Sequence, residues 1–170
     1  MTDKKLIQKN WSSWHHQLHK EILTKKTLIP KGSNILISVS GGQDSMALLT
    51  LINDLKKLHN WSISVWHGDH QWHKKSSLYA LELKSYCKGK NIPFYFDKAD
   101  KEKILTEEKA REWRYQKLCE KAKTLLKKKH QNKNIYLLTG HTSSDNAETF
   151  ILNLSRGSNF AGLSNIESKR

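Results

Sequence analysis

A short glycine-containing turn between an apolar run and a helical run constrains the fold of this chain more than any other feature. The apolar run Ile35–Val39 has the length of a buried strand, and Met46–Leu49 begins a helical pattern. Between them stand six small or polar residues: Ser40, Gly41, Gly42, Gln43, Asp44 and Ser45. Adjacent glycines let the backbone approach a ligand closely, and the N-terminus of the following helix offers unpaired N–H groups to an anion.

This turn predicts a phosphate-binding site in which the carboxylate of Asp44 holds Mg²⁺ against the phosphate oxygens. It is not a Walker motif, because that spacing and its lysine are absent. The alternative is an ordinary strand-to-helix turn in which the serines and Asp44 only cap the helix.

Hydrophobic periods alternate along the rest of the chain and predict an α/β fold. An amphipathic helix over Lys4–Lys26, with Leu6, Trp14, Leu18 and Ile22 on its apolar side, comes first. The predicted strands are Asn34–Val39, Ser62–Trp66, Ile92–Phe96 and Ile135–Thr139, and the predicted helices are Asp44–Leu58, Lys74–Lys90, Thr106–Lys129 and Ala147–Leu154. This alternation predicts a parallel sheet of about four to five strands flanked by helices. We expect residues 1–30 to form an N-terminal helix and residues 31–170 to form one domain.

Charge and cysteine content restrict the partners and the compartment. The 170 residues carry a formal net charge of +14, which favours a polyanion such as nucleic acid, although solubility or a lysine-rich genome would also explain it. Cys87 and Cys119 form no CxxC pair, which is typical of a reducing compartment. The N-terminus lacks the apolar core of a signal peptide and no run reaches membrane-spanning length, so a soluble intracellular protein without a membrane partner is expected.

Three polar loops follow predicted strands and should meet at one edge of the sheet. They are Ser40–Ser45, His67–His70 and Gly140–Thr149. Ligands bind outside the carboxyl ends of strands in such sheets. The second loop has two interpretations, a metal cluster of His67, Asp69 and His70 or a local turn held by His–Asp hydrogen bonds.

Several charged residues also have two interpretations each. Asp145 and Glu148 share one face of a helix start, where they either complement the helix dipole or bind a cationic amine. Arg111 lies four residues from Tyr115 and is either a surface group or a phosphate ligand. Arg156 either complements a helix C-terminus or faces a nucleic-acid backbone.

Ser40–Ser45 resembles the SGGxDS motif of the N-type ATP pyrophosphatases. Together with His67–His70, Ala110–Tyr115 and the segment from His141 to Ser158, in this order and spacing, the chain resembles the tRNA(Ile)-lysidine synthetase family. The resemblance covers roughly residues 34–166. It implies a Rossmann-like sheet of the adenine nucleotide alpha hydrolase type.

The resemblance also implies an activity, a ligase that uses ATP and Mg²⁺ to join free L-lysine to the wobble cytidine of tRNA(Ile) with a CAU anticodon. Asp44 and Arg111 would then be catalytic, with Asp44 the Mg²⁺ ligand, and Ser40–Ser45 would bind ATP. Lysine would bind Asp145 and Glu148. The residues implied near the tRNA or the nucleotide are Arg114, His141 and Arg156. The location implied is the bacterial cytoplasm, or the stroma for a plastid-encoded chain, and a homodimer is an alternative to a monomer.

The chain departs from the family pattern at two places, and two other functions are alternatives to this interpretation. Ser144 replaces a usual aspartate, and Gln71-Trp72-His73 replaces a common glycine, leucine and arginine. The end at Arg170 predicts a fragment that binds ATP without full synthetase activity. The other functions are a tRNA thiolase of the same superfamily, which commonly uses paired cysteines, and a non-catalytic nucleotide-binding or RNA-binding module.

Overall fold

The structure, a computed structural model, describes residues 11–102, 104–128 and 134–140. The chain divides into two units, Met1–Thr139 and Gly140–Arg170, and all the elements below belong to the first. In chain order they are α1 (Ser13–Thr24), β1 (Asn34–Ser38), α2 (Gln43–His59), β2 (Ser62–Asp69), α3 (Ser76–Gly89), β3 (Phe94–Lys98), α4 (Glu107–Lys128) and β4 (Ile135–Thr139). No helix in this described part is long and apolar enough to cross a membrane.

The four described strands form one parallel sheet in the order β3-β2-β1-β4, which confirms the predicted α/β class. β1 lies in the interior of the sheet, with β2 on one side and β4 on the other. The chain moves from β1 to β2 to β3 and then returns to the far side of β1 as β4. This reversal places the topological switch point, where such sheets bind ligands, between β1 and β4.

Helices cover both faces of the sheet and bury β1 between them. One face packs against α1, α2 and α3 and includes Ile37, Leu49 and Leu83. The other face packs against α4 through Leu36, Trp66 and Leu118, all at most 1% exposed. Residues of β1 alternate between the two apolar layers, so a buried strand reads as a continuous apolar run.

Two strand boundaries differ from the predicted ones. β3 begins at Phe94 rather than Ile92, because Pro93 has no N–H and contributes only its carbonyl, which accepts a hydrogen bond from the Val65 N–H (2.9 Å). β2 continues to Asp69, three residues beyond the predicted end at Trp66. The extension is paired, since Asp69 lies in register with Lys98 of β3.

The N-terminal helix is shorter than predicted. It runs from Ser13 to Thr24, whereas the prediction extended from Lys4 to Lys26, and residues 4–10 lie outside the described residues. The Ser12 N–H donates to Nδ1 of His15 (3.1 Å), which stabilises the helix start. Ile22 is buried as predicted, but Trp14 is 68% exposed, so its placement on the apolar side was wrong.

A histidine pair joins α1 to the end of α2. Nδ1 of His19 and Nε2 of His59 lie 3.0 Å apart, and the His59 ring, 6% exposed, stacks on Trp61. Such a bond needs one ring nitrogen without a proton, so both rings cannot be charged while it persists. Burial lowers the pKa of His19 and of His59, with smaller contributions from His16 to His19 and from His19 and Lys31 to His59.

We expect acid to destabilise this protein through the histidine pair. Because the folded pKa values lie below the unfolded value of about 6.5, the folded state binds fewer protons than the unfolded state, and stability falls as the pH drops below about 6.5. Urea unfolding at about pH 8 and about pH 5.5 measures the loss. The double variant His19→Gln/His59→Gln should show a smaller loss than His16→Gln. An equal loss in both variants would contradict this assignment.

Candidate functional site

The turn after β1 has the open backbone that the sequence predicts. Gly41 has φ +93°, a conformation that glycine adopts without strain. Gly42 is the N-cap of α2, so no N-cap side chain accepts a hydrogen bond from the first N–H groups of the helix. Ser40, Gly41, Gly42 and Gln43 are all exposed. The N-terminal N–H groups of α2 are therefore accessible to an anion, which the helix dipole favours.

Two serines hold the turn in shape. The Gly42 N–H donates to Oγ of Ser40 (3.3 Å), and Oγ of Ser45 lies 3.1 Å from Oγ of Ser40. The Ser45 hydroxyl also donates to the Gly42 carbonyl (2.9 Å). Ser45 is 5% exposed whereas Ser40 is exposed, so in this structure Ser45 supports the turn from inside and Ser40 faces the open side.

Asp44 is the acidic residue in the first turn of α2, and its side chain is exposed. The described residues contain no group of three or more His, Cys, Asp or Glu side chains that could hold a metal ion. Mg²⁺ does not require such a group, because it is usually held by one or two carboxylates together with phosphate oxygens and water. One exposed carboxylate beside open N–H groups therefore fits a Mg²⁺ ion that arrives with a nucleotide.

His67 supports the entrance to the turn from the neighbouring strand. Its buried Nδ1 lies 2.6 Å from the Val39 carbonyl, and since a carbonyl only accepts, Nδ1 carries the proton and donates. The Val39 N–H in turn donates to the Trp66 carbonyl (2.9 Å). Val39, the residue before Ser40, is thus held through both of its backbone polar groups.

The predicted loop at His67–His70 is mostly strand, which corrects both interpretations of it. His67, Gly68 and Asp69 belong to β2, and the described residues form neither a metal cluster nor His–Asp hydrogen bonds here. Oδ1 of Asp69 instead accepts from the Gln71 N–H (2.7 Å). Its Oδ2 is buried and has no hydrogen-bond partner within the described residues.

Gly68 is required by the packing of two tryptophans. A Cβ at this position would lie 2.5 Å from Cη2 of Trp66 and 2.8 Å from Cζ3 of Trp113. Trp66 is fully buried, and its indole N–H donates to Oδ2 of Asp97 (2.6 Å). A side chain at this position of β2 is thus excluded by rings from β2 itself and from α4.

His70 and Arg114 meet on the α4 side of this edge. Nη2 of Arg114 lies 3.2 Å from Nε2 of His70, and since a guanidinium only donates, Nε2 accepts. Burial, followed by the nearby guanidinium, lowers the pKa of His70 below its usual value, although Asp69 partly opposes this. Burial also lowers the pKa of Arg114. His70 is therefore a neutral ring that carries its proton on Nδ1, which is buried and lacks a partner within the described residues.

Arg111 lies one helical turn from Tyr115, and its guanidinium carbon is 5.4 Å from the centre of that ring. This distance permits a cation–π interaction, and Arg111 as a whole is partly exposed. The predicted phosphate contact of Arg111 stays a prediction.

Four of the predicted site residues lie outside the described residues: His141, Asp145, Glu148 and Arg156. Their roles, and the helix predicted over Ala147–Leu154, stay predictions.

A cavity of about 280 Å³ lies at the opposite, amino-terminal edge of the sheet. The residues that line it include Asn34, Ser62, Pro93 and Ile135, at the starts of the strands or just before them. It is therefore remote from the turn after β1, and the chemistry of the carboxyl edge does not involve it.

The comparisons with known proteins agree with this geometry. Residues 13–170 match the family described as a PP-loop domain. The chain belongs to the PP-loop family. Membership implies the use of ATP, and it agrees with a turn of small residues between β1 and α2.

Several curated relatives of this PP-loop protein are named tRNA(Ile)-lysidine synthase. A tRNA(Ile)-lysidine synthase of Prochlorococcus marinus subsp. pastoris is 69% identical over 170 residues, which cover all of this chain and 51% of the relative. The chloroplastic tRNA(Ile)-lysidine synthase of Pyropia yezoensis is 38% identical over 152 residues, covering 88% of this chain and 44% of the relative. The chain thus spans about half the length of the curated relatives it matches.

A solved structure shares the fold at low identity. It is the U34-tRNA thiolase NcsA from Methanococcus maripaludis with its [4Fe-4S] cluster, with a TM-score of 0.62 and 14% identity over 85% of this chain and 50% of that one. At this identity the likeness supports the fold and not the reaction.

Three interactions near the site escaped the sequence reasoning. They are the bond from His67 to Val39, the bond from Arg114 to His70, and the packing of Trp66 and Trp113 over Gly68. The first two join residues 28 and 44 positions apart in the chain. A glycine inside a strand pattern was the available signal for the third, since it indicates a close approach of another group.

Proposed function

We propose that this PP-loop protein acts in the formation of lysidine, joining lysine to C2 of the wobble cytidine of tRNA(Ile) with a CAU anticodon. The observation that carries the proposal is the 69% identity, over the whole of this chain, to a tRNA(Ile)-lysidine synthase. The open N-terminus of α2 beside the exposed carboxylate of Asp44 supports it, because the reaction requires a held triphosphate.

The proposed reaction has two steps. The C2 oxygen of cytidine bonds to the α-phosphorus of ATP, and pyrophosphate leaves. The amine of lysine then attacks C2, AMP leaves with the oxygen, and the amine loses a proton. An amide-like oxygen is a poor leaving group until it is adenylated, so the first step requires positioned phosphates and neutralised charge.

The roles of the described residues follow from their places at the edge of the sheet. The turn Ser40–Ser45 and the first N–H groups of α2 hold the phosphates. Asp44 holds Mg²⁺, which neutralises charge on the phosphate oxygens when it is bound. Arg111 is the proposed catalytic cation. Arg114, whose guanidinium donates to His70, is proposed to lie near the tRNA or the nucleotide.

The remaining assignments rest on motif positions outside the described residues. Asp145 and Glu148 are proposed to bind the lysine substrate, and His141 and Arg156 are proposed to lie near the tRNA or the nucleotide. The predicted division into residues 1–30 and 31–170 is likewise a proposal. So are a location in the bacterial cytoplasm or a plastid stroma and assembly as a homodimer.

The cysteines do not favour a thiolase. Cys87 is buried on α3 and Cys119 is exposed on α4, and these helices cover opposite faces of the sheet. Burial raises the pKa of the Cys87 thiol to about 11, so almost none of it is the reactive thiolate near neutral pH. Neither residue can serve as the partner of the other in sulfur transfer.

Pyrophosphate release from ATP tests the proposal. The substrate is a tRNA(Ile) transcript with a CAU anticodon, and the matched control has uridine in place of the wobble cytidine. We expect release only with the cytidine transcript, and lysine-dependent AMP and lysidine thereafter. Binding of ATP without release would indicate the non-catalytic module, and sulfur incorporation would indicate the thiolase.

A further inference from the structure

Trp72 is a large aromatic side chain that stays exposed although it is held in place. It follows β2 after Gln71, whose φ of +60° turns the chain out of the sheet. Its exposed fraction is 45%, unusual for the largest side chain. Its indole N–H nevertheless donates to the Ile104 carbonyl (3.2 Å), so the ring does not swing freely. Because the ring is already held in place, contact with a further molecule would require little additional ordering of this side chain.

The ring is supported from behind by the cluster at the carboxyl edge of β2. The His70 ring meets Trp72 edge to face, with centroids 5.5 Å apart, and meets Trp113 in the same way at 5.1 Å. Arg114 holds His70 through Nε2, and the Gln71 amide bonds to the Ala99 carbonyl. The support therefore comes from three parts of the chain: the end of β2, α4 and the segment that follows β3.

Positive charge flanks this ring in the chain. Lys74 and Lys75 follow it closely and are exposed, and no acid occurs between Asp69 and Glu82. The loop that carries Ile104 holds Asp100 and Glu102 but also Lys101. The net charge of +14 further favours a polyanionic partner.

We propose that Trp72 is a stacking platform for an unpaired base of the RNA substrate, with Lys74 and Lys75 binding the adjacent phosphates. Unpaired bases present a flat face to an aromatic ring, whereas the bases of a duplex are stacked on one another. The platform lies at the edge where the strands end, the same edge as the turn after β1. This inference rests on the proposed tRNA function, since it names the residue that meets the substrate.

Replacing the ring tests the platform. We expect Trp72→Leu, which replaces the flat ring by a flexible apolar side chain, to weaken binding of the tRNA(Ile) transcript about tenfold. Trp72→Phe keeps a flat ring and should stay within about threefold of the unchanged chain. Trp14→Ala is the matched control, because Trp14 is another exposed tryptophan and lies on α1. It should leave the affinity unchanged.

Salt dependence separates stacking from charge. Lys74→Ala/Lys75→Ala should lower the slope of log affinity against log salt by about one for each phosphate that is no longer bound. Trp72→Leu should weaken binding at every salt concentration with the slope unchanged. ATP affinity, measured on the same samples, reports that each variant is folded.

The outcomes distinguish this inference from the proposed function. Equal RNA affinity for Trp72→Leu and the unchanged chain would overturn the platform alone, as would equal losses in Trp72→Leu and Trp72→Phe. If Trp72→Leu leaves RNA binding intact and instead abolishes self-association in sedimentation, the ring contacts protein and the inference is wrong. An unchanged chain that binds ATP but no RNA would overturn both the platform and the tRNA assignment.

Discussion

Replacing Asp44 by alanine is expected to abolish ATP turnover while leaving the fold intact. The side chain is exposed in the first turn of α2, so its removal creates no cavity and disturbs no buried contact. Its loss removes the carboxylate proposed to hold Mg²⁺ against the phosphates. Removal of one such charge-stabilising group typically costs a factor of about a hundred to a thousand in rate. Pyrophosphate release with the cytidine transcript measures the loss.

A second aspartate on the same helix provides the control for this prediction. Asp54 lies further along α2, where its carboxylate meets His15 of α1 (3.3 Å) rather than the turn. Asp54→Asn should leave turnover within about twofold, because surface pairs of this kind contribute little even to stability. Turnover that survives in Asp44→Ala, with ATP affinity unchanged, would remove Asp44 from the metal role.

Replacing Gly68 by alanine is expected to destabilise the fold strongly. The added methyl group would lie 2.5 Å from Trp66 and 2.8 Å from Trp113, far inside the carbon–carbon contact distance of about 3.5–4.0 Å. Trp66 is fully buried and packs with Leu118, so it cannot yield without moving α4. Overpacking of this kind costs about 1–3 kcal/mol or more in the free energy of unfolding. Urea unfolding followed by circular dichroism measures it.

The same substitution at another glycine should act in the opposite direction. Gly89 ends α3, has no atom within 4 Å of the position that an added methyl group would occupy, and does not adopt the left-handed backbone conformation. Gly89→Ala should therefore stabilise the protein by about 0.5–1 kcal/mol, because alanine restricts the unfolded chain and favours the helix. If Gly68→Ala and Gly89→Ala shift the unfolding midpoint equally, the steric explanation for Gly68 is wrong.

Local sequence patterns were sufficient to predict the central part of the fold, namely β1, the turn that follows it and α2. The apolar run at β1, the glycines of the turn and the helical pattern of α2 are adjacent in the chain, so their conformations follow from short-range preferences. β4 occupies the predicted residues Ile135–Thr139. The hydroxyl of Thr106, where the fourth helix was predicted to begin, accepts from the Lys109 N–H (3.3 Å). In each case the residues that decide the structure lie within a few positions of one another.

Two of the wrong predictions concern residues whose surroundings come from a distant part of the chain. Residues 67–69 were predicted to lie in a loop because most of them are polar. Pairing with β3 instead extends β2 through these residues. Trp14 was placed on the apolar side of α1 because of its spacing, but it is 68% exposed, whereas Leu18 and Ile22 of the same helix pack against the core.

The sequence by itself determined the α/β class, the glycine-containing turn after β1 and the family, because each is written in neighbouring residues. Only the tertiary structure decided the strand order β3-β2-β1-β4, the bond from His67 to Val39, and the cluster of Arg114, His70 and Trp72. These depend on which side chains meet across the sheet. Such contacts are set by packing of the whole core, which no local pattern of residues specifies.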